Sequence, residues 1–224
     1  MSEKKTKGKS RPKKSAPSSY QKEKMQAKPL PSHTQKVEWK GSTLLGALPA
    51  VMVSCGDMEH PNIITVAWTG IICSQPPMTY ISVRPERHSH HLIKEAGAFV
   101  INLTPTSMVR DCDYCGIYTG AKVDKFKECG FDAVPSPTVN APMIAQAPVS
   151  LSCRVKEVVS LGSHDMFIAD IVGISASEAL LDEKGKLHME WADLCVSMHG
   201  AYYSVGKFLG KLGCSTDKKG GKNG

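Results

Sequence analysis

No apolar stretch in this 224-residue chain reaches the roughly 20 residues that a bilayer-spanning helix requires. The opening residues are polar and Lys-rich without an apolar core, and they hold too little Arg for a transit peptide. The expectation is a chain without a secretory signal, held in the cytoplasm. Also missing are a glycine-rich phosphate loop, a dinucleotide-binding glycine fingerprint and a Gly-x-Ser-x-Gly elbow, which excludes a Rossmann-type or nucleophile-elbow enzyme. No internal repeat of 20–50 residues is present. The pair Cys112-Asp-Tyr-Cys115 has no second Cys-x-x-Cys to complete a zinc site and no thioredoxin-like βαβ pattern around it.

The net charge of +7 is unevenly distributed. Residues 1–28 hold ten Lys/Arg and two Asp/Glu, which leaves 18 basic and 19 acidic residues for positions 29–224, a net of −1. A nucleic-acid-binding face on an ordered domain needs clustered basic residues there, so the near-neutral body argues against one. A nucleic-acid-associated module would have to act through the basic tail; the simpler reading of that tail is a solvated extension rich in Lys, Ser and Pro. The eight cysteines, Cys55, Cys73, Cys112, Cys115, Cys129, Cys153, Cys195 and Cys214, fall largely in apolar runs and read as buried free thiols rather than a disulfide framework.

Along the chain, residues 1–35 are expected to be a disordered tail, 36–212 the folded domain and 213–224 a flexible Lys/Gly tail. Pro49 to Cys55 reads as a first strand. Ile63 to Trp68 and Ile71 to Ser74 read as two more, broken at Thr69-Gly70, and Pro76-Pro77 ends the second. Met78 to Val83 places Thr79, Ile81 and Val83 on one face. Ser89 occupies an N-cap position for a helix over 90–96, with Gly97 as its stop. Ala98 to Leu103 is a buried strand, 107–114 a helix, 116–121 a loop and 123–129 a short helix stopped at Gly130. The proline-rich stretch 132–148 is extended. Val149 to Ser160 and Met166 to Ser175 form a hairpin across Leu161 to Asp165, and beyond Leu181 the pattern loses regularity. Successive strands with short links predict a mainly β protein built on an antiparallel barrel with short peripheral helices.

Several constellations could carry chemistry. The turn from Arg84 to Ser89 joins two guanidinium groups and a hydroxyl to the electropositive start of a helix, a combination that suits phosphate; the alternative is an ordinary cap with two surface arginines. Asn62, Thr65 and Trp68 share one β-run, where the indole could lie against a flat ring or simply fill the core. Cys112 and Cys115 could be redox-active, could ligate a metal, or could pack on one helix face. His88, His90 and His91 read as a solvated helix start, and His164 sits at the hairpin tip, idle or orienting a ligand and donating a proton near neutrality.

Taken together, Pro61-Asn-Ile-Ile-Thr-Val-Ala-Trp68, Ser74-Gln-Pro-Pro77, Val83-Arg-Pro-Glu-Arg-His-Ser89, Phe99-Val-Ile-Asn102, Cys115-Gly, Val123-Asp-Lys-Phe126, Ala141-Pro142 and Gly162-Ser-His164 resemble the flavin reductase-like family, and within it the flavoredoxin branch, over about residues 45–180. The resemblance implies a Greek-key FMN-binding split β-barrel, a homodimer with flavin near the subunit interface. It implies flavin contacts at Asn62, Thr65, Ala67 and Trp68 around the ring and ribityl chain. Ser82, Arg84, Arg87 and Ser89 would lie near the phosphate, with Lys125 approaching the flavin. The segment that faces the nicotinamide or substrate in the family maps to Gly162-Ser163-His164, with Ser163 where the family carries Asp. The implied activity is an FMN-dependent oxidoreductase that takes hydride from NADH or NADPH, with His164 as the catalytic candidate and no metal. An electron carrier reduced by a redox protein partner is the alternative.

Overall fold

The computed structural model describes residues 30–216 of the chain, which divides into residues 1–42 and a larger unit over 43–224. Residues 30–42 carry neither helix nor strand, and their side chains are exposed. The basic segment 1–28 and the end of the Lys/Gly tail, 217–224, lie outside the described residues.

In the larger unit the β-branched runs become β1 (Leu48–Pro49), β2 (Val51–Cys55), β3 (Asn62–Val66), β4 (Thr69–Ser74) and β5 (Pro77–Val83). Helix α1 (His88–Ala96) leads into β6 (Ala98–Leu103), and α2 (Val109–Ile117) and α3 (Lys125–Cys129) follow. The short β7 (Ala133–Pro135) and β8 (Pro142–Ile144) precede the long β9 (Val149–Ser160) and β10 (Asp165–Ala176), and the chain closes with β11 (Cys195–Met198) and β12 (Ala201–Ser204). Seven strands form one antiparallel sheet in the order β3-β2-β6-β9-β10-β5-β4.

The two edge strands of that sheet, β3 and β4, are consecutive in sequence and separated only by Ala67 and Trp68. Laid flat, seven strands would put the edges ~29 Å apart, whereas a two-residue link spans at most about 11 Å. The sheet must therefore curl until its edges approach, and the amide of Ser82 in β5, donating to the Trp68 carbonyl at 2.9 Å, extends the β4–β5 ladder to the link itself. The expected antiparallel barrel is thus present, with a seam at Ala67–Trp68.

Strand faces sort into two cores. Val51, Val53, Ile64, Val66, Ile81, Val83, Phe99, Ile101 and Phe167 fill the barrel, joined by Ile93 of α1. The opposite faces of β2 and β3 present Met52 and Ile63 to a second layer made with Cys112 and Cys115 of α2, Phe126 of α3, and Phe131 and Ile144. All five residues of β2 are buried because both of its faces are covered. Asn102 ties the layers together: its amide donates to the Met52 carbonyl and Ser54 Oγ, each at 2.9 Å, and its Oδ1 accepts from the Ile144 amide and Ser150 Oγ.

Thr79, Ile81 and Val83 are buried along β5 as the alternation requires, and Gly97, at φ 61°, stops α1 with its amide on the Ile93 carbonyl. Three expectations need correction. The break between the third and fourth strands falls at Ala67–Trp68 rather than Thr69-Gly70, because Thr69 and Gly70 pair with Ile81 and Tyr80. Arg87, not Ser89, is the N-cap residue of α1, and it makes no side-chain cap bond; Ser89 lies inside the first turn. The region past Leu181 is more regular than its sequence suggests, since β11 pairs with β1 and β12 in a small antiparallel sheet.

Candidate functional site

A cleft of about 360 Å³ opens between the start of α1 and the α2–α3 connection, lined by Arg84, Arg87, His88, Ser89, Cys115, Tyr118, Thr119, Gly120 and Lys125. A smaller hollow of about 170 Å³ shares Ile64, Arg84 and Arg87 with it and continues along the barrel seam past Thr65, Ala67, Trp68, Ser82 and His164. The barrel dictates this conjunction. The seam brings the end of β3 beside the end of β5, and the turn after β5 delivers both arginines and the first turn of α1 to the same edge.

One end of the cleft is electropositive. The amides of His88 and Ser89 open α1 ahead of its i→i−4 ladder, the amide of His90 donates to the Arg87 carbonyl at 2.9 Å, and the Arg84 and Arg87 side chains are exposed beside them. Arg87 is steadied by donating Nη1 to the Gly116 carbonyl at 3.3 Å, and Arg84 faces Glu86 at 3.4 Å. The His88 imidazole is held below its ordinary value by burial and by the charges of His91 and Lys125, the response expected of a group in a positive field. Ser89 is 2 % exposed, and its Oγ accepts from Asn62 Nδ2 at 2.8 Å. Lys125 is 3 % exposed; its Nζ donates to the carbonyls of Ile63 at 2.6 Å and Cys115 at 2.8 Å. Burial pushes its ammonium below the usual lysine value. Two of its three donor hydrogens are committed to backbone, so Lys125 fastens α2 and α3 to β3 while lining the cleft.

The other end is flat and aromatic. Trp68 is 39 % exposed, and its ring stands 4.6 Å from that of His164 at the β9–β10 tip, tilted by 37°. Ser163 Oγ and His164 Nδ1 lie 2.9 Å apart. Burial and the nearby Arg84 hold the His164 imidazole below its ordinary value. A ring system could lie along this wall with its anionic end at the arginines.

The structure brings Thr65, Ala67, Trp68, Ser82, Arg84, Arg87, Ser89, Lys125 and His164 into the walls of the two joined hollows. Asn62 stands apart. It is buried, lines a third hollow beside His60 and Lys122 that shares His88 and Gly120 with the cleft, and touches Ser89 of the cleft wall. Thr65 spends its hydroxyl on the Cys112 carbonyl of α2. Sequence reasoning missed the wall formed by Tyr118, Thr119 and Gly120, where a Cβ on Gly120 would fall 2.0 Å from Asn62 Oδ1. The signal available was the glycine-bearing stretch Gly116-Ile-Tyr-Thr-Gly-Ala121 shortly before the Asp-Lys-Phe segment. His90 was expected among solvated histidines. It is buried instead, with Nε2 2.8 Å from Asp165 Oδ2 and its ring edge-on to Phe167. Among the described residues no group of three or more His, Cys, Asp and Glu side chains is arranged to hold a metal ion.

Comparison with known proteins gives these features a setting. The model of the flavin reductase like domain matches residues 46–202. Flavoredoxin of Desulfovibrio vulgaris (Miyazaki F) superposes with a TM-score of 0.75 at 32 % identity, covering 81 % of this chain and all of that one. Flavoredoxin from Methanosarcina acetivorans gives 0.74 at 25 % identity, over 84 % of this chain and 98 % of that one. The reductase component of a 4-nitrophenol 4-monooxygenase/4-nitrocatechol 2-monooxygenase from Rhodococcus opacus is 25 % identical over 116 residues, 52 % of this chain and 59 % of that one.

Proposed function

We propose, from the premise that the chain belongs to the flavin reductase-like family, that it is an FMN-dependent oxidoreductase of the NAD(P)H:flavin reductase type, which passes electrons onward to a flavin or a redox protein. The observation that carries this reading is the continuity of the cleft, cationic at Arg84, Arg87 and the α1 N-terminus and aromatic at Trp68 and His164. That polarity matches a ligand with a phosphate at one end and a flat heteroaromatic ring at the other, so the donor set fits FMN.

When bound, FMN supplies acceptance of hydride from NADH or NADPH and release of electrons to an acceptor. The chain's part is to hold and orient. Arg84 and Arg87 neutralise the phosphate, and the first amides of α1 donate to it. Ser89 is kept in place by Asn62, and Lys125 keeps the α2–α3 wall against β3. Trp68 and His164 shape the ring end, with His164 available to orient a donor or move a proton at its imidazole. No protein nucleophile is required.

The test is FMN-loaded protein mixed with NADH and with NADPH in turn. Steady consumption of either supports the reading, and inertness toward both removes the reductase claim. Inertness together with rapid reduction by a low-potential protein donor favours an electron carrier, a reading supported by the two flavoredoxins that superpose over almost their whole lengths. We further propose a cytoplasmic homodimer. Ile71 and Ile72 of edge strand β4 are exposed next to Trp68, an apolar face suited to a second copy. Sedimentation of a single monomeric species at micromolar concentration would refute the dimer.

A further inference from the structure

The Cys-x-x-Cys spacing points at the wrong pair. Cys112 turns its sulfur toward Thr104 Oγ1, 3.9 Å away, whereas Cys115 faces Cys129, the last residue of α3, with Sγ–Sγ at 3.8 Å. The two sulfurs are in contact across 14 residues of chain, and both belong to the second core layer. A disulfide needs the sulfurs to close by about 1.8 Å more.

The two members are unlike. Cys115 is fully buried in the middle of the second core layer, while Cys129 is only half-buried and ends a five-residue helix. The next residue, Gly130, has φ 69° and ends the helix. Access therefore falls on Cys129, and burial on Cys115. The proton distribution agrees. The hydrogen bond with Cys115 and the charge of Lys125 hold the Cys129 thiol below its usual value, against its own partial burial and the charges of Asp111 and Glu128, and Cys115 keeps its proton.

We propose that Cys115 and Cys129 form a dithiol–disulfide couple, with Cys129 the attacking sulfur and Cys115 the resolving one, oxidised by a low-molecular-weight disulfide. The Cys129 thiolate attacks one sulfur of the external disulfide, forming a mixed disulfide and expelling one thiolate. Cys115 then attacks the Cys129 sulfur; the S–S bond between them forms, the bond to the small thiol breaks, and the Cys115 proton leaves with the second small thiol. Two protein thiols are oxidised and one external disulfide is reduced to two thiols. The product links α2 to α3 and closes the segment holding Tyr118, Thr119 and Gly120 into a ring, so the couple sets how tightly the cleft wall is pinned. The couple stands independently of the flavin reading, because it needs only the chain and a small disulfide.

The full-length, flavin-free protein is equilibrated in glutathione buffers from fully reduced to fully oxidised, quenched in acid, alkylated and digested with trypsin. The expected product is peptide 111–122 joined to peptide 128–154 with loss of two hydrogens, fragmentation placing the bond between Cys115 and Cys129. In Cys115→Ser the mixed disulfide persists on Cys129, and in Cys129→Ser the native protein leaves Cys115 unmodified. Should either variant fail to fold by circular dichroism, the wild-type linked peptide decides alone. A Cys112–Cys115 bond overturns the proposal, as do glutathione adducts confined to Cys73 and Cys214 or the absence of the linked peptide in the fully oxidised buffer. None of these outcomes bears on whether FMN binds.

Discussion

Asn62 of β3 donates its amide to the hydroxyl of Ser89 in α1 at 2.8 Å, inside the protein and across 27 residues of chain. The bond fixes the first turn of the helix whose amides face the cleft, and Gly120 leaves the room in which Asn62 Oδ1 sits.

Asn62→Ala is expected to leave the Ser89 hydroxyl buried without its donor and to cost roughly 1–3 kcal/mol of stability. Gly120→Ala, which drives a Cβ to 2.0 Å from Asn62 Oδ1, is expected to disturb the same bond from the other side. Urea unfolding followed by circular dichroism measures both, and FMN affinity should fall in each. Unchanged affinity in both would separate Asn62 from the site.

Arg87 reaches from the N-cap of α1 into the cleft and braces itself on the Gly116 carbonyl. Arg87→Ala is expected to weaken FMN binding by about 10- to 100-fold, on the order of 1.5–3 kcal/mol for a charge-assisted contact. Arg87→Lys should recover only part of this, because an ammonium cannot present the planar fork. Quenching of flavin fluorescence reads the affinity. Riboflavin, which lacks the phosphate, should be affected far less.

His88 is held below its ordinary value by burial and by its cationic neighbours His91 and Lys125. An anion at the mouth of the cleft counters those charges, so adding FMN or inorganic phosphate should move the His88 titration upward in a proton NMR experiment. A midpoint that stays still with saturating FMN would place the phosphate elsewhere.

The buried pair of His90 and Asp165 joins α1 to the hairpin that carries His164. Because His90 holds the Asp165 carboxyl below the ordinary 3.8, the pair adds stability above that pH and loses it as the medium is acidified through the lower folded value. His90→Ala should lower stability at pH 7 by about 1.5–3 kcal/mol. It should also flatten the acid limb of the stability curve, as read by thermal melts between pH 3 and 7. An acid limb identical to wild type would show that the pair does not govern it.

How much of this could be read in the residues depends on how far each signal acts. Period-two alternation in Met78–Val83 and the αL stop at Gly97 are local, and the structure has them where the pattern puts them. The antiparallel barrel is legible as a run of strands with short links, but the strand break at Ala67–Trp68 is not, because a glycine looks like a break and Ala67–Trp68 looks like strand. Partnerships across long separations left no trace in spacing. Ser89 looked like a cap until Asn62 claimed its hydroxyl, and His90 looked solvated because Asp165 lies 75 residues away. Spacing pairs Cys115 with Cys112, its neighbour in sequence, whereas its partner in space is Cys129.

The two-residue seam at Ala67–Trp68 is also the wall of the smaller hollow. A molecule lodged there presses on the two-residue link that ties the edge strands β3 and β4 of the rolled sheet together. Occupancy and closure are therefore linked functions of one equilibrium. A ligand present at a hundred times its dissociation constant deepens the folded basin by about 2.7 kcal/mol, and that gain should concentrate at the hoop's clasp. Amide exchange there should slow more than at β9, which is paired along both of its edges.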